Sequence, residues 1–311
     1  MALKAALALV LVGGGVTLHF TRDASQGVMD PYNATTNEGI DIYGHLPSFM
    51  QQSVSVDVSD AESLPKHVSL ALQNAFIPFI VIYGSILSLL VAFAEPLKSR
   101  KLSGVPIDFR FLLTEIRRCC NSLALLALWD LLLTRSGAVR GVPGAVVDLR
   151  QSLLYTLPLT LLWADLHFYA IHRFLHSHPF LYKHIHKIHH ESVNTNVMSG
   201  LSFHPVEGFL YFSSLLFCVL LPGGMSRFEF AVFKIGLLLA PIGGHHGYSL
   251  TNVETGTFDL NNCEHYTHHV KFNYNYGSGL FPKGRVWDYL LGTVWDVDRP
   301  ISKRLKVAKK A

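Results

Sequence analysis

Long uncharged stretches alternate with short charged segments over most of the chain. One of them, residues 75–94, contains twenty residues without a charge. At a rise of about 1.5 Å per residue, a helix of that length matches the roughly 30 Å hydrocarbon core of a bilayer. Residues 119–133 and 153–171 predict two more spans, and the shorter runs 209–221 and 228–242 predict a hairpin that enters and leaves on one side. The pattern therefore predicts about four membrane helices.

The polar segments between these runs predict how the chain is divided and oriented. Residues 95–118 carry six basic side chains, and an excess of Lys and Arg marks the cytosolic side of a membrane. We expect four regions: an apolar segment that is a signal peptide or a first span, followed by a polar lumenal segment (1–67), a membrane hairpin (68–150), a histidine-rich catalytic domain (151–296) and a basic cytosolic tail (297–311).

Composition agrees with a membrane protein. Hydrophobic residues make up 50% of the chain and charged residues only 15%, whereas soluble domains average about 25% charged residues. The net charge of +4 is small, and no basic patch is interleaved with aromatic residues. The four cysteines form no disulfide framework. We therefore expect the membrane and its lipids as partners, and no nucleic acid.

Histidine is concentrated in one part of the chain, since fourteen of the seventeen histidines lie between His167 and His269. Three clusters have helical spacing, in which positions i, i+3 and i+4 share a face, so we expect each cluster to converge on one point. Imidazole is a common ligand of Zn, Cu, Fe and Ni, and ten candidates exceed the needs of one tetrahedral ion. The pattern therefore predicts two metal ions. The candidate ligands are His172, His176, His186, His189, His190, His204, His245, His265, His268 and His269.

Residues around the clusters add weaker signals. Asp165 lies two helical turns before His172, where its carboxylate can accept an imidazole N–H and fix the tautomer of that ligand; a charge facing interfacial water is the alternative. Tyr169, Phe203 and Tyr248 can line an apolar slot for a substrate or belong to an interfacial aromatic belt. A zinc peptidase is disfavoured because the sequence has no His-Glu-x-x-His motif. A redox-active metal pair at a membrane face instead favours an oxygenase or desaturase.

The order of these motifs resembles the fatty acid hydroxylase and sterol desaturase superfamily. The resemblance implies a non-haem di-iron centre that uses O2 at the cytosolic face of the endoplasmic reticulum membrane. It also implies electrons from NAD(P)H, delivered by cytochrome b5 and its reductase. The eight clustered histidines are the implied ligands, with His204 and His245 as further ones. The motifs are His172-Arg-Phe-Leu-His176, His186-Lys-Ile-His-His190, Phe203-His-Pro205, His245-His-Gly247, His265-Tyr-Thr-His-His269 and Trp287-Asp-Tyr-Leu-Leu-Gly-Thr293.

The substrate is less clearly indicated than the superfamily. Residues 203–210 and 272–277 are most like sterol C-5 desaturases, whereas residues 245–248 are closer to sterol methyl oxidases and sphingoid-base hydroxylases. Residues 194–196 depart from the proline-containing stretch usual in the desaturases. We therefore expect sterol C-5 desaturation, with sterol C-4 methyl oxidation or sphingoid-base or fatty-acyl hydroxylation as alternatives. A non-catalytic, zinc-stabilised sterol-binding protein is a further alternative. The expected fold is all-α, with about four transmembrane helices and a cytosolic helical cap that holds the two metals.

Overall fold

The computed structural model describes residues 64–103, 105–140, 149–221, 224–249, 262–277 and 286–295 of the chain. Within these ranges the regular structure is helical apart from two short strands. The predicted N-terminal apolar segment, nearly all of the polar segment after it and the basic tail lie outside the described residues. The α-helices are α1 (Leu64–Ala92), α2 (Phe109–Arg135), α3 (Leu149–Gln151), α4 (Leu157–Ser177), α5 (Pro179–Leu181), α6 (Lys187–His190), α7 (Pro205–Phe212), α8 (Phe217–Leu220), α9 (Arg227–His245), α10 (Asn262–Val270) and α11 (Val286–Leu290).

Tighter and wider turns connect several of these helices, and the two strands join distant parts of the chain. The 3-10 turns are Lys98–Arg100, Ser199–Leu201 and Ser213–Leu216, and the π-helical turns are Ser152–Thr156 and Tyr182–His186. Strands β1 (Val139–Arg140) and β2 (Met225–Ser226) pair in parallel, with Val139 opposite Met225. This short ladder lies at the N-terminal end of α9. Ser226 and Glu229 form a capping box there, in which each side chain accepts from the other's backbone N–H.

Two of the described helices, α1 and α9, are long and apolar enough to cross a membrane. α1 has 29 residues with a mean hydropathy of 2.3, and large apolar side chains such as Ile80 and Val91 are more than half exposed along it. An apolar surface of this kind is typical of a helix that contacts lipid or another protein. In α9, which has 19 residues, half of the apolar stretch is buried inside the protein. Residues 75–94, predicted as the first long span, lie in α1 except for the last two.

The other predicted spans have a different character. Residues 119–133 lie in α2, which also carries six charged side chains, and residues 153–171 lie in a π turn and α4. Residues 209–221 are divided among α7, a 3-10 turn and α8, whereas residues 228–242 lie in the single helix α9. The predicted hairpin of two equally short halves therefore differs from the structure. In the first half, Ser213 Oγ donates to Leu210 O (2.7 Å), a local bond of the kind that competes with regular helix.

A buried ion pair connects three of the long helices. The Asp130 carboxylate on α2 accepts from Lys234 Nζ on α9 (2.5 Å), from Thr134 Oγ1 (3.2 Å) and from Asn74 Nδ2 on α1 (3.5 Å). The side chains of Asp130 and Lys234 are only 8% and 9% exposed. In the sequence, Asp130 is an isolated charge within an apolar run, and the structure gives it a partner that lies 104 residues later.

A second buried carboxylate, that of Glu115 on α2, fixes the segment that follows the second histidine cluster. It accepts hydrogen bonds from Ser192 Oγ (2.6 Å), Asn196 Nδ2 (2.6 Å) and Ser199 Oγ (2.7 Å). Immediately beyond, Gly200 packs so closely on α9 that a Cβ there would lie 2.6 Å from the Cβ of Pro241. These contacts hold α2, α9 and the clustered histidines in one rigid arrangement.

Candidate metal centre

The histidine clusters lie on separate helical segments that meet in the interior. His172 and His176 are one turn apart on α4, and the second cluster begins in the π-helical turn Tyr182–His186 and continues into α6. The third cluster lies on α10, and His245 is the last residue of α9. π-helical turns are frequent at functional sites. All of these histidines are buried except His176, which is half-buried.

Nine histidines form two adjacent groups, each with one ring nitrogen per residue within 4.8 Å of the others. The groups adjoin, because the ring centroids of His190 and His269, one from each group, are 4.6 Å apart. Two ligand sets side by side are the arrangement that a two-metal centre requires. The five-histidine group contains His172, His176, His186, His190 and His268, and the four-histidine group contains His189, His245, His265 and His269.

The second and third clusters each divide between the two groups, which corrects the expectation that each cluster converges on one point. In the second cluster, His186 and His190 belong to the five-histidine group and His189 belongs to the four-histidine group. In the third cluster, His265 and His269 belong to the four-histidine group and His268 belongs to the five-histidine group. Neighbouring residues of a helix are about 100° apart around its axis, so positions i+3 and i+4 cannot both point at one ion. Each of these clusters therefore contributes to both groups.

Four of the histidines have an oxygen acceptor opposite Nδ1. A carbonyl oxygen can only accept, so Nδ1 carries the proton and Nε2 presents its lone pair to the group. The same arrangement orients the ring, because the hydrogen bond fixes one edge of the imidazole. The acceptors are Tyr276 O for His172 (2.8 Å), Glu207 Oε1 for His186 (2.7 Å), Pro241 O for His245 (2.7 Å) and Tyr274 O for His268 (2.6 Å).

The Nε2 atoms face one another at separations that suit a shared cation. His190 Nε2 lies 3.1 Å from the Nε2 atoms of both His186 and His176. His245 Nε2 lies 3.0 Å from that of His265, and also contacts the two remaining members of its group. Lone pairs cannot hydrogen bond to each other, whereas two imidazole nitrogens about 2.1 Å from one ion, at a right angle, are about 3.0 Å apart. The donor set therefore fits one metal ion in each group.

Two unpaired atoms and the charge state of the rings support the same conclusion. The Nε2 atoms of His172 and His268 are buried and have no hydrogen-bond partner within the described part of the chain. A buried polar atom left unpaired costs about 1–3 kcal/mol, and a bound cation removes that cost. Burial, together with the neighbouring imidazoles, lowers the pKa of His186 and of His190 well below the usual value. At neutral pH these rings are uncharged, so their lone pairs are available to a metal.

The region that contains both histidine groups matches a known protein family. Residues 157–293 match the family model described as fatty acid hydroxylase. These residues therefore resemble a fatty acid hydroxylase domain. The domain begins at the first residue of α4 and ends at Thr293, so it contains both histidine groups and the Trp287–Thr293 motif. The match confirms, for residues 157–293, the resemblance predicted from the order of the motifs.

Several curated proteins are similar to the chain. A Delta(7)-sterol 5(6)-desaturase of Leptosphaeria maculans is 31% identical over 52% of this chain and 42% of that protein. A very-long-chain aldehyde decarbonylase of Oryza sativa subsp. indica is 30% identical over 51% of this chain and 59% of that protein. The chain therefore spans about half the length of these two relatives. A Delta(7)-sterol 5(6)-desaturase of Gibberella zeae is 26% identical over 93% of this chain and 94% of that protein. No solved structure matches the chain.

Within the fatty acid hydroxylase domain, His204 lies outside both histidine groups. It is the N-cap of α7, and its Nδ1 accepts a hydrogen bond from Val206 N (3.2 Å). Pro205 occupies the first helical position, where a missing N–H is harmless. The structure thus does not bring His204 to the metal centre, because its ring nitrogen closes the start of a helix instead.

Asp165 is buried on α4, two turns before His172, as the predicted contact of its carboxylate with an imidazole N–H requires. The Nδ1 proton of His172, however, goes to the backbone carbonyl of Tyr276, which lies 104 residues later in the chain. The Tyr276 carbonyl therefore fixes the tautomer of His172, which is the role that was predicted for Asp165.

The three aromatic residues predicted to line a substrate slot lie in different surroundings. Tyr169 is buried, and its hydroxyl contacts Thr293 Oγ1 (3.0 Å). Phe203 is buried with its ring centroid 5.2 Å from that of His189, which places it beside the four-histidine group. Tyr248 lines a cavity of about 190 Å³ that is walled by the last turns of α1 and by residues 194–197. Their contact with a substrate stays a prediction.

Glu207 is a site residue that the sequence signals did not reveal. It lies on α7, buried among the helices, and its Oε1 accepts from His186 Nδ1 (2.7 Å). Burial raises the pKa of the Glu207 carboxyl, and a cation in the adjacent group opposes that shift. A carboxylate behind a ligating imidazole orients the ring and increases its basicity. In the sequence, Glu207 lies two residues after the Phe203-His-Pro205 motif and 21 residues from His186, the histidine it contacts.

The Glu207→Gln variant is expected to bind metal in the five-histidine group about 10–100-fold more weakly than the wild type. A neutral amide accepts a weaker hydrogen bond from His186 and no longer increases the basicity of its ring. Competition with a chelator of known affinity measures the change. Glu191→Gln is the control, because Glu191 pairs with Arg118 (2.7 Å) on a partly exposed surface. Equal metal affinity in the wild type and both variants would contradict this role.

Proposed function

We propose that this chain is an O2-dependent, membrane-bound di-iron oxidoreductase that acts on an unactivated C–H bond of a lipid, with sterol C-5 desaturation as the favoured reaction. The observation that carries the proposal is the pair of adjacent histidine groups, with buried Nε2 lone pairs that face one another. Tetrahedral zinc sites use four ligands, whereas nine histidines in two adjacent groups fit a polynuclear centre better. The fatty acid hydroxylase domain and the sterol desaturases among its relatives support the reaction class.

The residues of the chain have distinct parts in this mechanism. The five-histidine group would hold one iron and the four-histidine group the other. When bound, the iron pair supplies O2 activation and hydrogen abstraction from an unactivated C–H bond. The chain keeps the imidazoles neutral through burial, and it fixes their tautomers through Glu207 and the carbonyls of Pro241, Tyr274 and Tyr276. Burial of the groups excludes bulk water from the reacting centre.

The route of the substrate and the source of electrons extend the proposal. The apolar, exposed surface of α1 supports a lipid substrate that arrives from the bilayer, and the cavity beside Tyr248 lies at the end of that helix. Two spans, α1 and α9, fit the expected membrane anchoring, and we propose about four spans beneath a cytosolic helical cap. We further propose the endoplasmic reticulum membrane as the location and cytochrome b5 with its reductase as the electron donor, on the basis of the resemblance to the superfamily.

Hydroxylation of another lipid is the second candidate function. Residues 245–248 resemble sphingoid-base hydroxylases and sterol methyl oxidases more than sterol C-5 desaturases, and the last three of them line the cavity. A relative outside the sterol enzymes, the aldehyde decarbonylase, also has about 30% identity. Desaturation and hydroxylation share hydrogen abstraction as their first step, so the same histidine groups serve either reaction.

Product identification in a strain that expresses the chain distinguishes these functions. Candidate sterols are fed to the strain, and the lipid extract is analysed by mass spectrometry. We expect a new sterol with one additional double bond, formed only with O2. Unchanged sterols together with hydroxylated sphingoid bases would replace sterol desaturation by the second candidate. Unchanged lipids of every class, with normal protein levels, would favour the non-catalytic, zinc-stabilised alternative.

A further inference from the structure

The Asp288 carboxylate, in the Trp287–Thr293 motif, holds a loop next to the metal centre. The side chain is completely buried. Its Oδ1 accepts from Tyr276 N (2.9 Å) and from Thr293 Oγ1 (2.6 Å), and its Oδ2 accepts from Gly277 N (2.7 Å). The backbone adds a bond from Thr293 N to Asp288 O (2.8 Å). One carboxylate therefore fixes two consecutive peptide groups of the loop that follows α10.

The same loop supplies the acceptors for two metal-ligand candidates. The Tyr276 carbonyl accepts from His172 Nδ1 (2.8 Å), and the Tyr274 carbonyl accepts from His268 Nδ1 (2.6 Å). Between them, Asn275 has a left-handed backbone (φ 57°), and its N–H donates to Thr293 O (2.8 Å). A non-glycine residue in this conformation persists only where its surroundings hold it. The positions of the two carbonyls thus depend on the contacts made by Asp288 and Thr293.

Both histidines served by this loop belong to the five-histidine group. In the four-histidine group, by contrast, His245 donates to Pro241 O within its own helix α9. We propose that Asp288 is a positioning residue that orients His172 and His268, through the loop carbonyls, for metal binding by the five-histidine group. This inference rests on the proposed metal-binding function and adds a role for a motif that the function has not otherwise used.

The Asp288→Asn variant tests the inference with little change of shape. An asparagine has one acceptor oxygen and an NH2 group, so one of the loop N–H groups would face a donor instead of an acceptor. Residues that orient metal ligands typically change metal affinity about 10–100-fold. We therefore expect one of the two iron equivalents to bind about 10–100-fold more weakly while the other keeps its wild-type affinity.

The measurement is an anaerobic titration of the full chain in detergent with ferrous iron, with bound iron counted per chain. His172→Ala, which removes a ligand, gives the benchmark for a lesion confined to the five-histidine group. Thr293→Val is the milder second variant, because it removes one donor to Asp288 and leaves the carboxylate. Asp108→Asn is the matched control, since Asp108 caps α2 by accepting from Arg110 N (3.0 Å) and is exposed. The thermal unfolding temperature of each metal-free protein is measured in parallel.

The outcomes separate this role from a purely structural one and from the proposed function. Selective loss of one equivalent, with metal-free stability close to that of the wild type, supports positioning by Asp288. Two equivalents at wild-type affinity in Asp288→Asn and Thr293→Val would overturn the inference and leave the di-iron proposal intact. Equal weakening of both equivalents, in step with lower metal-free stability, would also overturn it. A wild-type chain that binds no iron would overturn the proposed function together with the inference.

Discussion

The His268→Ala and His189→Ala variants are each expected to lose product formation by at least about 100-fold, although each removes a ligand from a different histidine group. In the proposed mechanism the two metals act as a unit, so the loss of either one would stop the oxidation. Groups that act as a unit have strongly non-additive effects, so the double variant should be no less active than the single ones. Product formed per amount of protein, from a fed lipid, measures the effect.

His178→Ala is the matched control for these variants. His178 lies two residues after His176 but is exposed and belongs to neither group. We expect it to keep wild-type activity, because an exposed imidazole can be removed with little effect on its surroundings. If His268→Ala and His189→Ala both form product at the wild-type rate with normal protein levels, the redox mechanism is wrong. Product formation would then not depend on the two histidine groups.

Nine of the ten candidate ligands lie together in the structure, and helical spacing, which is a local property, was enough to select them from the sequence. The division of the second and third clusters between the two groups also follows from local geometry, since residues such as His189 and His190 point about 100° apart. The role of His204 was readable as well: a polar residue directly before a proline is a common helix start. Here a ligand assignment taken from a motif competed with a capping signal, and the structure has the capping contact.

The residues that orient the ligands could not be found in this way. Tyr276 lies 104 residues from the histidine it contacts, and its contribution is a backbone carbonyl, which any residue type supplies. Glu207 is closer to its histidine in sequence, but it reaches it from a different helix. Local spacing gives no information about contacts of this kind, because they depend on how α4, α7 and the loop after α10 pack together. The clustered histidines are thus predictable, and the atoms that fix their tautomers are not.

Long-range pairing also explains how Asp130 is accommodated within an apolar run. An isolated carboxylate within an apolar run costs free energy when it is buried. Such a residue is therefore expected at a helix end or in a functional site. The structure instead pairs it with Lys234 from α9, and adds an amide donor from α1. The Asp130 carboxylate therefore links α2 to α1 and α9. Its burial depends on Lys234, which no local sequence pattern connects to it.

The Lys234→Met variant is expected to lower the free energy of unfolding by about 3–5 kcal/mol, because it leaves the buried Asp130 carboxylate without its counter-ion. For a chain of this size, such a loss corresponds to a fall of roughly 10 °C in the unfolding temperature. Thermal unfolding of the purified protein in detergent, followed by circular dichroism, measures the change. The second variant, Asp130→Leu combined with Lys234→Met, should recover most of the loss, since apolar residues often replace a buried ion pair without cost.

A surface pair provides the control for this interaction. Lys98 and Glu95 are 3.8 Å apart, and their side chains are 80% and 86% exposed. Water and salt screen such a pair, so Glu95→Gln should unfold at the wild-type temperature. If Lys234→Met also unfolds at that temperature, the buried pair does not stabilise the helix packing. If the double variant is no more stable than Lys234→Met, the loss comes from packing of the lysine chain rather than from the unpaired charge, because only removal of Asp130 abolishes that charge.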